Sequence, residues 1–151
     1  MSRDKRKGSG RDGVRFLALP HTVMDCPAFL ALSAPAVRLV LDIARQYVGT
    51  NNGRLVACMS AMAKRGWTSN DTLQRARREL EAAGLLLQTR MGARPNKAAW
   101  FAVTWISLDW DNGMDIRRED FQRGLYMRNP PPPPPPKTRA LDRLPVGMGT
   151  E

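Results

Sequence analysis

Histidine occurs once in this chain and cysteine twice. Those counts remove most of the side chains that carry acid–base, nucleophilic or metal chemistry near neutral pH. His21 stands beside Pro20, a setting that reads as a turn and not as a base or ligand. Cys26 and Cys58 are far apart and in no CxxC or zinc-type spacing, which predicts reduced thiols in a cytoplasmic setting. No HExxH, GxSxG or GxxxxGK[ST] pattern occurs. Asp109, Asp111 and Asp115 alternate with Trp110, Asn112 and Gly113, yet Asp120 does not complete a calcium loop, so this reads as a solvated turn. The expectation is a non-enzyme with no cofactor and no metal. Long apolar runs are missing too: none approaches the ~20 residues that span a bilayer, so a soluble protein with no membrane partner is expected. The basic start lacks the apolar stretch of a secretion signal.

Positive charge is what the chain has in excess. Lys and Arg number 24 against 14 Asp and Glu, a net +10 with a sequence pI near 10.8, and this favours an anionic partner. Its placement matters more than its total. Residues 64–97 hold eight basic and three acidic groups, so half of the net charge falls in that short stretch.

In chain order, residues 1–13 are polar, charged and glycine-rich, and predict a disordered basic arm. Val14 to Leu19 is β-prone and stopped by Pro20; a short helix is expected around Met24 to Leu30, with Pro27 in its first turn. Ser33 caps a core helix whose face reads as Val37, Val40, Leu41, Ala44, Tyr47 and Val48, with Arg38, Asp42, Arg45 and Gln46 mostly on the other side. Gly49 should end it. Asn51-Asn52-Gly53 reads as an ordinary turn into a short strand, Arg54 to Ala57. At the far end, Asp111-Asn112-Gly113 marks a boundary, and Ile116 to Met127 could form a short amphipathic helix weakened by Gly124. Seven prolines, Pro130 to Pro136, favour an extended polyproline rod, either a stiff spacer or a docking site for a protein partner.

The stretch Ser60 to Trp105 organises the rest. Ser69 is a good N-cap, and Leu73, Ala76, Leu80 and Ala83 step by three, four and three along one helical face. Gly84 suits the left-handed residue that follows a helix. The opposite face carries Gln74, Arg75 and Arg78, with Arg77 at its edge. Glu79 and Glu81 offer these arginines helical partners, so an ordinary surface helix is the competing reading. Before the helix, Gly66-Trp67-Thr68 is a short turn after another helical segment. After it, Leu85 to Arg90 and Ala98 to Trp105 are β-prone runs around the turn-rich loop Met91 to Lys97.

A short helix, a turn, a basic helix and then a hairpin with Arg90, Arg94 and Lys97 near its tip resembles a winged helix-turn-helix DNA-binding domain. The segment RRELEAAGLLLQTR is similar to the join between recognition helix and first wing strand in such regulators, carried here by Leu80, Gly84, Leu85 and Leu86. It departs from the pattern at Arg77, where an apolar residue is common. A second resemblance covers Phe16, Leu19, Pro20, Phe29, Leu32 and Ser33, and is to N-terminal domains of phage and plasmid replication initiators.

The resemblance implies an α+β winged helix over residues 14–110, between the arm (1–13) and a tail (111–151) with a short helix and the polyproline spacer. It also implies a partner, double-stranded DNA, bound in a bacterial cytoplasm by a transcriptional regulator or a replication-associated factor of a mobile element. Asn70, Thr72, Gln74, Arg75 and Arg78 would then meet the major groove. Arg90, Arg94 and Lys97 would hold backbone or minor groove from the wing, and Lys64 and Arg65 nearby phosphates. A homodimer is common among such regulators, although no coiled coil is visible here. The alternative is a protein-interaction module, an inhibitor or adaptor, on the same scaffold.

Overall fold

The computed structural model describes residues 14–128. The expected basic arm (1–13) and proline run (130–136) lie outside the described residues. The elements are α1 (His21–Met24), α2 (Pro27–Leu30), α3 (Ala34–Ala44), α4 (Met59–Met62), α5 (Asn70–Ala82), β1 (Leu86–Arg90) and β2 (Trp100–Val103). The two strands pair antiparallel as one sheet, so the α+β class holds.

Pro27 explains the start of this series. It has no N–H to continue α1 and instead begins α2, so the single helix expected at Met24–Leu30 becomes two one-turn pieces. Val14 to Leu19 forms no strand, although Leu17 and Leu19 still pack on the core.

The helix α3 begins where Ser33 predicts, with its Oγ accepting from the Ala36 N–H at 3.3 Å. Its core face matches the expected one only in part, at Val40 and Ala44. Ala36, Leu39, Val40, Ile43 and Ala44 are buried, whereas Leu41 and Val48 are exposed. Apolar residues lie on two sides of this helix, so spacing alone admits two stripes; packing against α5 selects the one with Leu39 and Ile43. The helix also stops at Ala44, well before Gly49.

Beyond α3, Gln46 turns back along the chain. Its side-chain amide donates to the Val56 carbonyl at 2.7 Å and accepts from the Val56 N–H at 3.0 Å. That pairing satisfies both Val56 backbone groups, while those of Leu55 face the other way and exchange bonds with Phe101. The strand expected at Arg54 to Ala57 is reduced to one bridge, Leu55 opposite Phe101.

Residues 111–128 pack on the hairpin side of the body. Met114 and Tyr126 are buried. The Asp115 N–H donates to the Thr89 carbonyl at 2.8 Å, and the Gly124 N–H to that of Thr104 at 2.8 Å. In place of the helix expected from Ile116 to Met127 there are two 3-10 turns, Arg118–Asp120 and Leu125–Met127. Gly124 takes φ +81°, a left-handed value that interrupts any continuous helix.

Asn52 ties the turn before Arg54 to the end of β2 and the segment after it, from a fully buried position. Its side-chain NH2 reaches the carbonyls of Val103, Ile106 and Ser107 at 3.0–3.1 Å, and its Oδ1 accepts from the Val103 N–H at 2.9 Å. Removing the amide strands several buried backbone groups at once. Asn52→Ala should therefore lower unfolding free energy by roughly 2–4 kcal/mol in urea melts, against less than about 0.5 kcal/mol for Asn112→Ala on the exposed turn.

Candidate functional site

The helix α5 is built as its sequence suggests. Ser69 Oγ accepts from the Thr72 N–H at 3.2 Å, which satisfies one of the free donors of the first turn. Leu73, Ala76, Leu80 and Ala83 are buried on one side. Gly84 follows at φ +75°, and the chain turns at once into β1.

The outward side carries most of the residues singled out in the sequence. Thr72, Arg75 and Arg78 are exposed at successive spacings of three, forming one stripe, with Asn70 at the helix start. Arg75 pairs with Asp71 at 2.9 Å, but the two side chains are 76% and 71% exposed. A pair so solvated contributes little and opens readily. Arg78 makes no hydrogen bond or ion pair with any described residue. Gln74 is half-buried and accepts from Arg77 Nε at 2.9 Å, so its side chain is partly engaged within the helix.

Arg77 turns inward from this stripe. Its Nη1 lies 2.6 Å from Glu81, and its guanidinium stacks 5.8 Å from the centre of the Phe101 ring on β2. An arginine can do the work of the expected apolar residue because its stem packs while its head is paired. Burial raises the Glu81 carboxyl above its ordinary value, with Arg77 and then Arg78 pulling the other way. Glu79, by contrast, pairs with no arginine among the described residues. It accepts from the Ser33 N–H at 2.6 Å and from Ser33 Oγ at 2.7 Å, clamping the start of α3 to α5.

The turn before α5 is fixed from α3. Asp42 is 7% exposed and accepts from Arg65 Nε at 2.9 Å and from Trp67 Nε1 at 2.8 Å. Arg38 stacks 5.0 Å from the centre of the Trp67 ring and donates to the Arg65 carbonyl at 2.6 Å. Arg65 is thus engaged with α3, while Lys64 beside it is exposed and unpaired among the described residues.

The hairpin divides its cations in the same way. Arg90 lies 3.4 Å from the centre of the Trp100 ring and donates to the Ala98 carbonyl at 2.7 Å, which makes it a brace at the base of the loop. Arg94 and Lys97 are exposed at the tip, where Ala93 and Lys97 exchange backbone hydrogen bonds at 2.8 and 2.9 Å. A cleft of about 520 Å³ separates this tip from Cys58 and Ser60 at the start of α4.

Of the residues expected at the site, the outer face of α5 gathers Asn70, Thr72, Arg75 and Arg78, and the hairpin tip presents Arg94 and Lys97. Arg65, though 46% exposed, and Arg90 are engaged with other parts of the fold, and Gln74 in part. Sequence reasoning missed Asp42 and Ser33 as the groups that orient α5. A charged residue inside an apolar helix, with a Trp and an Arg downstream, was the available signal for Asp42.

These partnerships predict unequal stability effects for adjacent arginines. Arg77→Ala should cost about 1 kcal/mol in denaturant melts, while Arg78→Ala should stay within about 0.5 kcal/mol.

Comparison with known proteins gives no match to a family model, to a curated protein or to a solved structure.

Proposed function

We propose that the body is a winged helix that binds double-stranded DNA with sequence preference, with α5 as the recognition helix and the β1–β2 loop as the wing. The observation that carries this reading is the outward stripe of α5. It combines hydroxyl, amide and guanidinium groups with no apolar side chain among them, on a helix already packed by its other face. Such a stripe suits the major groove, where arginine can pair with guanine and asparagine with adenine, each good pair contributing ~1–3 kcal/mol of discrimination. Arg94, Lys97 and Lys64 supply phosphate contacts, which orient the protein and read no sequence. The role is that of a transcriptional regulator or a replication-associated factor.

The second reading, a protein-interaction module on the same scaffold, draws on Met91, which is 70% exposed beside the tip cations. Mobility-shift measurements at two salt concentrations separate the two. Duplex DNA should bind at ~50 mM salt and weaken steeply by ~200 mM; no binding at the lower salt leaves the interaction module. Within the first reading, Arg75→Ala should relax sequence preference, whereas Arg94→Ala should weaken all duplexes alike and reduce the salt slope by about one. An equal loss on every sequence from both changes would show that Arg75 touches phosphate alone.

A further inference from the structure

A cavity of about 400 Å³ opens between the extended segment before α1 and the solvent side of α3. Three arginines, Arg15, Arg45 and Arg65, line it. One carboxylate faces them, Asp42, and it is already shared by Arg65 and Trp67. Neither Arg15 nor Arg45 makes a hydrogen bond or ion pair with a described residue. The positive charge of the cavity is therefore not balanced by the described part of the fold.

The same cavity has apolar lining, from Phe16, Leu17, Leu41 and Tyr47. Leu41 remains 39% exposed although it lies on a helix whose other face is core. Exposed apolar surface and unbalanced cations are met together by one kind of molecule. It carries a flat ring for the walls and an anionic group for the guanidiniums, whose planar fork matches carboxylate and phosphate oxygens. The volume lies within the roughly 300–1,000 Å³ typical of small-molecule sites.

We propose that this cavity binds a small aromatic anion, a ring bearing a carboxylate or phosphate. The anionic group sits between Arg15 and Arg45, and the ring lies against Leu17, Leu41 and Tyr47. Arg65 stays with Asp42 and adds field without leaving its partner. Because Asp42 also holds Trp67, the site adjoins the turn in front of α5, yet it does not depend on what α5 binds.

The test uses the full chain, isotope-labelled for NMR and free of DNA. It is titrated separately with naphthoate, naphthyl phosphate, naphthylmethanol (ring without charge) and acetate (charge without ring). Saturable shifts at Leu17, Leu41, Arg45 and Tyr47 are expected with naphthoate or naphthyl phosphate, and the preferred one identifies the anionic group. The uncharged and ringless probes should bind at least about tenfold more weakly, as should the better anion to Arg45→Ala. Leu41→Glu, which places a carboxylate at the solvent-exposed mouth, should remove the shifts while the rest of the spectrum is unchanged. Equal binding of naphthylmethanol, shifts at other residues, or no saturable shift up to about 5 mM overturns the proposal. So does a short duplex that alone shifts the same residues, since these arginines would then belong to a nucleic-acid contact.

Discussion

One buried carboxylate, that of Asp42, sets the relation between the two longest helices. It ties α3 to the turn that leads into α5 through Arg65 and Trp67. A charge taken from water into such a place carries a desolvation penalty, and close partners have to offset it. Here the partners are supplied from both sides of the turn, with Arg38 stacked on the Trp67 ring. Removing Arg65 takes away the cation closest to Asp42, leaving Arg38 at 3.9 Å, so the turn has little freedom to take another path. The outward stripe of α5 owes its direction to this constraint, reinforced at the other end of the interface by the Ser33–Glu79 clamp.

The hairpin is positioned by a second set of polar contacts. Asn52 holds the end of β2 and the segment after it, and Arg77 reaches from α5 onto Phe101 in the middle of β2. Helix and hairpin are therefore joined through side chains as well as through the direct turn at Gly84. A hairpin of two strands is marginal alone in water. Here one face lies on the core through Leu86, Phe101 and Val103, and residues 111–128 support the other end.

The sequence was most legible where local chemistry decides the outcome. Ser69 and Gly84 bound α5, and the three-four-three spacing of Leu73, Ala76, Leu80 and Ala83 names its buried face. It was least legible where a polar side chain makes a distant contact. Asp42 and Gln46 read as solvent-facing because polarity was the only local information, yet one is buried and the other holds the Val56 backbone. Asn52 read as turn chemistry, and its contacts lie some fifty positions onward. The face of α3 was ambiguous for a different reason: apolar residues on two sides leave the choice to its partner helix.

The same distinction governs how the positive charge is understood. Counting cations over residues 64–97 treats eight groups as equivalent. The fold does not. Arg65, Arg77 and Arg90 are each oriented by a carboxylate, a carbonyl or a ring within the body. Their field still reaches solvent and adds to long-range attraction of an anion. They are poorly placed for direct contact, because reaching outward would break an internal interaction. Lys64, Arg78, Arg94 and Lys97 meet no such penalty, and Arg75 gives up only a solvated pair. Attraction at a distance thus depends on all eight groups, but contact at the proposed interface falls to five, spread over the turn, the helix and the hairpin tip. A surface so divided attracts polyanions in general, and under the proposed function the choice among sequences would rest on the few groups along α5.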